Sequence, residues 1–133
     1  HLLPVLSAIE NVELPLLLMG VPHKEARQSA LDTLKLMGLK SRANHRPSEL
    51  SGGQQQRVAI ARAIVHEPRV LFADEPTGNL DSVTSGSILA ALEELNRAKG
   101  LTIILVTHDE GVSSRCGRIL SLADGCLDGQ EEE

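Results

Sequence analysis

Residues 70 to 106 decide the fold class, and they read VLFADEPTGNLDSVTSGSILAALEELNRAKGLTIILV. The stretch opens with the apolar run VLFA and closes with the apolar run LTIILV, each of strand length. Between them, Ser82–Lys99 is a predicted helix, with Asp81 as its N-cap and Gly100 as its stop. Continuous apolar strands on either side of a helix are typical of a parallel sheet covered on both faces. The stretch therefore predicts an α/β fold.

Two helices are predicted in the first part of the chain. Ser7 and Glu10 have the spacing of a capping box, which predicts a helix that starts at Ser7. A second helix has apolar residues at helical spacing between residues 26 and 37. Pro22 suits the first position of this helix, and Gly38 suits its carboxyl-terminal cap.

A third helix is predicted after Ser51, and a hairpin is predicted near the carboxyl end of the chain. The hairpin would pair residues 118–122 with Cys126–Leu127 through a turn at Asp124-Gly125. The inward-facing residues expected on the third helix are Val58, Ala59, Ala63 and Ile64.

Composition limits the classes of function. The 133 residues are 41% hydrophobic and 23% charged, which suits one folded domain. A net charge of −5 and a single aromatic residue, Phe72, argue against a nucleic-acid partner. The two cysteines and five histidines lack the spacing of a zinc site or a disulfide framework.

Polar residues follow each of the two apolar runs. Asp74 and Glu75 come after the first run, and His108 comes shortly after the second. Open α/β sheets bind ligands beyond the carboxyl ends of their strands. There, Asp74 suits a divalent cation and Glu75 suits general-base catalysis. The alternatives are a solvated acidic turn and a histidine in a surface loop.

The segment Leu50 to Gln54 reads LSGGQ. Two glycines before a helix let backbone N–H groups approach an anion, and the helix dipole favours negative charge there. Ser51 would also donate to a phosphate oxygen, although an ordinary N-cap turn explains the same residues. Residues 78–81, Gly-Asn-Leu-Asp, predict a turn and an N-cap, and by themselves nothing more.

The order of these motifs resembles that of the ATP-binding cassette (ABC) ATPases. Leu50 to Gln54 match the family's signature motif, and Val70 to Glu75 match its Walker B strand. Asn79 to Asp81 match the D-loop, and His108 matches the switch histidine. Within the family, the chain is similar to bacterial ATP-binding subunits of the lipoprotein-release and macrolide-export type. The resemblance covers most of the chain.

The resemblance implies a role for each motif in binding and hydrolysing ATP with Mg²⁺. Two cassettes would enclose two ATP molecules, head to tail. In such a dimer, Asp74 would hold Mg²⁺ through water, Glu75 would polarise the attacking water and His108 would sense the γ-phosphate. Leu80 and Asp81 would lie at the dimer seam. The residues expected to touch the γ-phosphate bound to the opposite subunit are Ser51, Gly52 and Gly53, with Gln54 nearby.

The resemblance also implies partners, a location and a division of the chain. The expected partners are a second cassette and a transmembrane permease subunit, at the cytoplasmic face of the bacterial inner membrane. Residues 1–50 would form the helical subdomain, and residues 51–133 would hold the signature helix and the carboxyl-terminal part of the catalytic core.

The sequence departs widely from the family pattern, because it contains no GxxxxGK[ST] phosphate loop and lacks the family's adenine-stacking aromatic residue and glutamine loop. We therefore expect a partial P-loop NTPase-like domain, the carboxyl-terminal part of a cassette, whose sheet lacks the phosphate-loop strand. The strand at residues 102–106 would then have an unpaired apolar edge. We expect this chain alone to be marginally stable and not to hydrolyse ATP at a useful rate.

Two alternatives to a transporter ATPase subunit remain. The first is a catalytically incompetent cassette that acts only as an interaction module with an intact cassette or a membrane partner. The second is a cassette ATPase that works outside transport, in DNA repair or translation. The short distance between the signature and Walker B motifs leaves no room for a long coiled-coil insertion, and the acidic composition argues against a nucleic-acid partner. Both observations argue against the second alternative.

Overall fold

A computed structural model describes residues 1–123 and 126–127 of the chain. Two short 3₁₀ turns, Lys40–Arg42 and Pro47–Glu49, lie between the second and third helices. The helices and strands, in chain order, are α1 (Ala8–Leu18), α2 (His23–Leu36), α3 (Gly52–Ile64), β1 (Val70–Asp74), α4 (Ser82–Lys99), β2 (Thr102–Val106), α5 (Glu110–Ser113), β3 (Leu122–Ala123) and β4 (Cys126–Leu127).

Helix α1 begins where its capping box predicts. The Ser7 hydroxyl accepts from the backbone N–H of Glu10 at 3.4 Å, and the Glu10 carboxylate accepts from the backbone N–H of Ser7 at 2.7 Å. The hydrogen bond from the Ser7 backbone is the main cause that lowers the pKa of Glu10. The reciprocal pair satisfies two backbone donors at the start of the helix.

Helix α2 begins one residue later than expected and ends as expected. Pro22 is the N-cap, with ψ at 138°, so the helix starts at His23 rather than at Pro22. The extended ψ places Pro22 outside the helical turn, although its φ of −55° suits either position. At the other end, Gly38 has φ +72°, the left-handed conformation that glycine adopts most easily after a helix.

Helix α3 buries a wider surface than the sequence predicted. Val58 and Ile64 are buried as expected, whereas Ala59 and Ala63 are only half-buried. Ile60 and Ala61, which were not expected to face inward, are buried as well. The reason is that α3 contacts α1 and α2 on one side and α4 on another, so its buried face is not a single stripe.

Strands β1 and β2 pair in parallel, and α4 connects them. Val70 is opposite Thr102 and Asp74 is opposite Val106, so the two strands end at the same edge. One hydrogen bond extends the pairing, from the backbone N–H of Glu75 to the carbonyl of Val106 at 2.9 Å. Asp81 caps α4, and Gly100 ends it with φ +64°, both as predicted. The α/β class and the parallel pairing are therefore confirmed.

The two strands are covered on one face only, which corrects the expectation of cover on both. Leu71 is 8% exposed, whereas its neighbour Phe72 is 74% exposed. Ile104 and Val106 are exposed on β2. Successive side chains of a strand point to opposite faces, so one face packs into the helical core and the other carries exposed apolar residues. Within the described residues the sheet has these two strands, with no phosphate-loop strand beside β2.

The closing hairpin is present but shorter than predicted. Leu122 pairs with Leu127 and Ala123 pairs with Cys126, in the antiparallel sense. The first strand begins at Leu122, so residues 118–121 lie outside it. The predicted turn residues, Asp124 and Gly125, lie outside the part of the chain that the structure describes.

Candidate functional site

Glu75 lies directly beyond β1, in a backbone conformation that is unusual for its residue type. Its φ is +42°, in the left-handed region that side chains other than glycine rarely adopt. Hydrogen bonds hold it there on both sides, because its N–H donates to Val106 and its carbonyl accepts from the N–H of Gly78 at 3.2 Å. The sharp turn ends the strand and aims the Glu75 side chain along the sheet edge towards β2. Strained residues of this kind are concentrated at functional sites.

The carboxylate of Glu75 meets the residues that follow β2. One oxygen, Oε1, lies 2.7 Å from the ring Nδ1 of His108 and accepts from the backbone N–H of His108 at 2.9 Å. The other oxygen, Oε2, accepts from the hydroxyl of Thr107 at 3.3 Å. The expectation that Glu75 and His108 share one edge of the sheet is confirmed. Sequence reasoning did not single out Thr107, although it directly precedes His108.

The hydrogen bonds affect the charge of Glu75. Desolvation raises its pKa, but the bonds from His108 and Thr107 lower it by more, so the pKa lies below its ordinary value of 4.5. Glu75 is therefore an anion at neutral pH. The side chain of His108 is 89% exposed, so the pair is open to a ligand that approaches the carboxyl end of the strands.

Asp74 is the last residue of β1, and it is exposed beside Glu75. No group of three or more acidic, histidine or cysteine residues gathers into a metal site in the described part of the chain. Mg²⁺ does not need such a group, because it is commonly bound by one or two carboxylates with waters and phosphate oxygens. The single exposed carboxylate of Asp74 therefore fits Mg²⁺ bound together with a phosphorylated ligand.

The signature residues form the beginning of α3. The Ser51 hydroxyl accepts from the backbone N–H of Gln54 at 3.3 Å, and Gln54 Oε1 accepts from the backbone N–H of Ser51 at 3.1 Å. The alternative interpretation, an ordinary N-cap turn, is therefore also correct: Ser51 caps α3, and Gln54 completes the capping box. Ser51 and Gly52 are nevertheless exposed at a helix start, where the helix dipole favours an anion.

A second contact brings the signature residues against the start of α4. Gly52 lies beside Leu80, where an added Cβ would sit 3.3 Å from the leucine Cδ2. Gly53 lies against Thr84, and an added Cβ there would overlap the threonine methyl group. Sequence reasoning missed Thr84, although its position three residues after Asp81 is a common spacing for an N-cap contact.

The site residues thus form two clusters. One holds Asp74, Glu75 and His108 at the sheet edge, and the other joins Ser51–Gln54 to residues 80–84. Among the described residues, no hydrogen bond or ion pair links Ser51–Gln54 to Glu75 or His108.

A family model described as "ABC transporter" matches residues 1–78, which is more than half of the chain. The chain belongs to the ABC transporter family. The match includes the signature residues at the start of α3, the strand that ends at Asp74, and Glu75 directly after it.

Curated relatives of this ABC chain carry a specific name. The lipoprotein-releasing system ATP-binding protein LolD of Legionella pneumophila strain Paris is 47% identical over 131 residues. The LolD protein of strain Lens is equally similar. Each alignment covers 98% of this chain but 58% of the relative, so the chain spans a little over half of the length of these relatives.

Solved structures give the same result for the ABC fold. A dimeric post-hydrolysis state of the ATP-binding cassette MJ0796, bound to ADP and Pi, superimposes with a TM-score of 0.82 at 46% identity. The superposition covers 99% of this chain and 59% of the MJ0796 chain. A second dimeric structure of MJ0796, described as a bacterial ABC transporter cassette, superimposes equally well at 47% identity, with 96% and 57% covered. The P-loop NTPase-like α/β fold is therefore confirmed for this chain.

In the described residues, no helix of this ABC chain is both long enough and apolar enough to cross a bilayer.

Proposed function

We propose that this chain is an ATP-binding and ATP-hydrolysing part of an ABC transporter, which couples hydrolysis to the export or extraction of a substrate at the membrane. The observation that carries the proposal is the contact between Glu75 and His108 at the carboxyl end of the parallel strands. A carboxylate and an imidazole at this edge are the groups that a triphosphate and its attacking water would meet.

Glu75 is the proposed general base. It is ionised at neutral pH because its pKa is lowered, and it is partly exposed, so a water molecule can reach it. The attacking water would lose a proton to the Glu75 carboxylate while its oxygen bonds to the γ-phosphorus. The bond from that phosphorus to the bridging oxygen breaks, which releases ADP and phosphate.

Asp74 and His108 are proposed to act on the charge of the triphosphate. Asp74 would hold Mg²⁺ through water, and bound Mg²⁺ supplies positive charge that stabilises the phosphate oxygens. His108 would detect the γ-phosphate with its exposed ring while its Nδ1 contacts Glu75. These roles suit phosphoryl transfer, in which positioning and charge stabilisation dominate.

Ser51, Gly52, Gly53 and Gln54 are proposed to bind the γ-phosphate held by a second cassette. Among the described residues, no hydrogen bond or ion pair links these residues to Glu75 or His108, which supports a site that two chains complete. The dimeric forms of MJ0796, one of them bound to ADP and Pi, support the same arrangement by homology. Leu80, which lies beside Gly52, and the next residue, Asp81, would then approach the dimer seam.

A transmembrane permease subunit is the second proposed partner, at the cytoplasmic face of the bacterial inner membrane. The similarity to LolD of the lipoprotein-releasing system supports this assignment. Residues 1–50, which include α1 and α2, are proposed as the helical subdomain that faces the permease, with residues 51–133 as the signature helix and part of the catalytic core. A nucleic-acid partner is not proposed, since the chain has a net charge of −5.

One observation favours a second candidate, a non-catalytic interaction module. These 133 residues contain no GxxxxGK[ST] phosphate loop, so the chain offers signature residues but not the lysine that cradles a triphosphate. Such a chain would complete the site of an intact cassette and would hydrolyse nothing by itself.

Mixing with a defective cassette tests the role of the signature residues. The partner is an intact LolD whose own signature serine is changed to arginine, so that its homodimer does not turn over. We expect this chain to restore ATP hydrolysis, because its Ser51–Gln54 would complete the partner's site. The change Ser51→Arg should abolish the restored rate, by about 10²-fold or more, because it removes a charge-stabilising group and adds bulk.

The matched control is Ser48→Arg, three residues away on an exposed 3₁₀ turn. It adds the same charge and bulk outside the proposed contact, so the restored rate should be unchanged. No restoration at any mixing ratio, or equal restoration by the Ser51→Arg variant, would overturn the role in trans. Restoration by this chain, together with no hydrolysis by this chain alone, would favour the interaction module.

A further inference from the structure

The first turn of α3 and the first turn of α4 meet at a contact that depends on two glycines. Gly53 is buried against the methyl group of Thr84, and the space that its own Cβ would occupy is filled by that methyl. Gly52 lies beside Leu80 in the same contact. A side chain at position 53 would therefore force Thr84 to move.

Thr84 is held on its other side by Asp81. Its hydroxyl donates to Asp81 Oδ2 at 2.6 Å, and its backbone N–H donates to Asp81 Oδ1 at 3.0 Å. The backbone N–H of Val83 also donates to Oδ1, at 3.1 Å. The two groups on the Thr84 Cβ thus have different tasks, since the hydroxyl binds the Asp81 carboxylate and the methyl packs on Gly53.

We propose that Thr84 is a positioning residue that ties the orientation of the Asp81 carboxylate to the position of the signature turn. A β-branched side chain has few allowed χ1 rotamers, so a shift of the methyl group turns the hydroxyl with it. A displacement of Gly53 is therefore transmitted to Asp81, and a displacement of Asp81 is transmitted to Gly53. The functional meaning of this link rests on the proposed function, whereas the link itself is a property of this chain.

An N-cap alone does not account for Thr84. Asp81 already caps the helix by accepting from the backbone N–H groups of residues 83 and 84, and a serine at position 84 would supply the hydroxyl equally well. The methyl group is the part that reaches α3. Serine at position 84 keeps the bond to Asp81 and loses the contact with Gly53, whereas valine keeps an apolar contact and loses the bond.

The first experiment follows the titration of the Asp81 carboxyl carbon by NMR, with sucrose in the buffer to raise stability. The hydroxyl of Thr84 is the main cause that lowers the pKa of Asp81. We expect Thr84→Val to raise this pKa and Thr84→Ser to leave it low. We also expect Gly53→Ala to raise it, although position 53 makes no bond to Asp81, because the new Cβ displaces Thr84. An unchanged Asp81 titration in Gly53→Ala would overturn the proposal.

The second experiment is a double-mutant cycle on thermal unfolding. Gly53→Ala should lower Tm by about 3 to 10 °C in the natural background, through overpacking against the methyl group. In the Thr84→Ser background the same change should not lower Tm, because the space is free and alanine favours a helix. Equal losses in the two backgrounds would overturn the proposal. The control is Gly86→Ala on α4, where a Cβ meets open space and Tm should not fall.

Neither experiment uses ATP, so its outcome is independent of the mixing experiment with a defective cassette. Loss of the ATPase role would leave the coupling between Gly53 and Asp81 intact. Equal losses of Tm in the two backgrounds of the cycle would disprove the coupling and would not affect the proposed function.

Discussion

At the scale of single residues, Glu75 combines an unusual backbone with a carboxylate that accepts a hydrogen bond at each oxygen. Its φ of +42° places the side chain at the sheet edge, where His108 and Thr107 donate to both oxygens. The left-handed backbone costs free energy, so the surrounding bonds to Gly78 and Val106 have to hold it. The charge of the proposed general base is therefore set by residues that lie more than 30 positions later in the chain.

The bonds at Glu75 predict a pH dependence. Because the folded pKa is lowered from 4.5, this carboxyl contributes stability above its ordinary pKa and loses it as pH falls through the folded value. His108→Ala should raise the pKa of Glu75 in an NMR titration of the carboxyl carbon, since it removes the bond from Nδ1. His66→Ala, which removes an exposed histidine after α3, should not change it. An unmoved Glu75 titration in His108→Ala would contradict the attribution to the imidazole.

At the scale of elements, each helix in the described residues has a capping residue at one end, either a side chain that accepts from backbone N–H groups or a glycine with positive φ. Ser7, Ser51, Asp81 and Asp109 accept from backbone donors at the first turns of α1, α3, α4 and α5. In α3 and α4 the caps are also proposed site residues, so the same hydrogen bonds that start the helices hold Ser51 and Asp81 in position. At these two helices, the same hydrogen bonds therefore stabilise the first turn and position the proposed site residue.

The cap of α1 gives a test at this scale, because Ser7 has no proposed part in catalysis. Ser7→Ala removes one half of the capping box and should lower the free energy of unfolding by about 1 kcal/mol. Ser29→Ala, on the exposed surface in the middle of α2, is the matched control and should be neutral or slightly stabilising. Urea denaturation of the two variants measures both effects. Equal changes would show that the cap does not stabilise the helix.

At the scale of the whole molecule, the sheet has one buried and one exposed apolar face. Leu71 packs into a core shared with α4, where Ile88, Leu92 and Leu95 are buried. Phe72, the next residue, lies on the exposed face with Ile104 and Val106. An apolar face and an unpaired strand edge together favour self-association in the part of the chain described here.

Substitutions at two neighbouring residues of β1 test the stability of the fold and its self-association separately. Leu71→Ala should lower the free energy of unfolding by about 2 to 4 kcal/mol, because it leaves a cavity in the core. Phe72→Thr should leave stability nearly unchanged, since threonine suits a strand, and should reduce self-association by removing exposed apolar surface. Urea denaturation measures the first effect and light scattering the second. Equal destabilisation by both variants would contradict the one-sided burial.

The activity of this 133-residue chain is also a property of the whole molecule. We expect no appreciable ATP hydrolysis by the purified chain, because a phosphate loop is not among its residues. The measurement is phosphate release with and without Mg²⁺, in parallel with the Glu75→Gln variant. Metal-dependent turnover that disappears in Glu75→Gln would show that the expectation is wrong.

The sequence by itself determined the capped starts of α1, α3 and α4, the parallel strands and the meeting of Glu75 with His108. Capping boxes, glycines with positive φ and apolar runs act within a few residues, and parallel strands bring their carboxyl ends to one edge. Only the tertiary structure decided which strand face is covered and that Thr84 lies against Gly53. Those facts depend on how elements distant in the chain pack together, and packing leaves no local signal in the order of the residues.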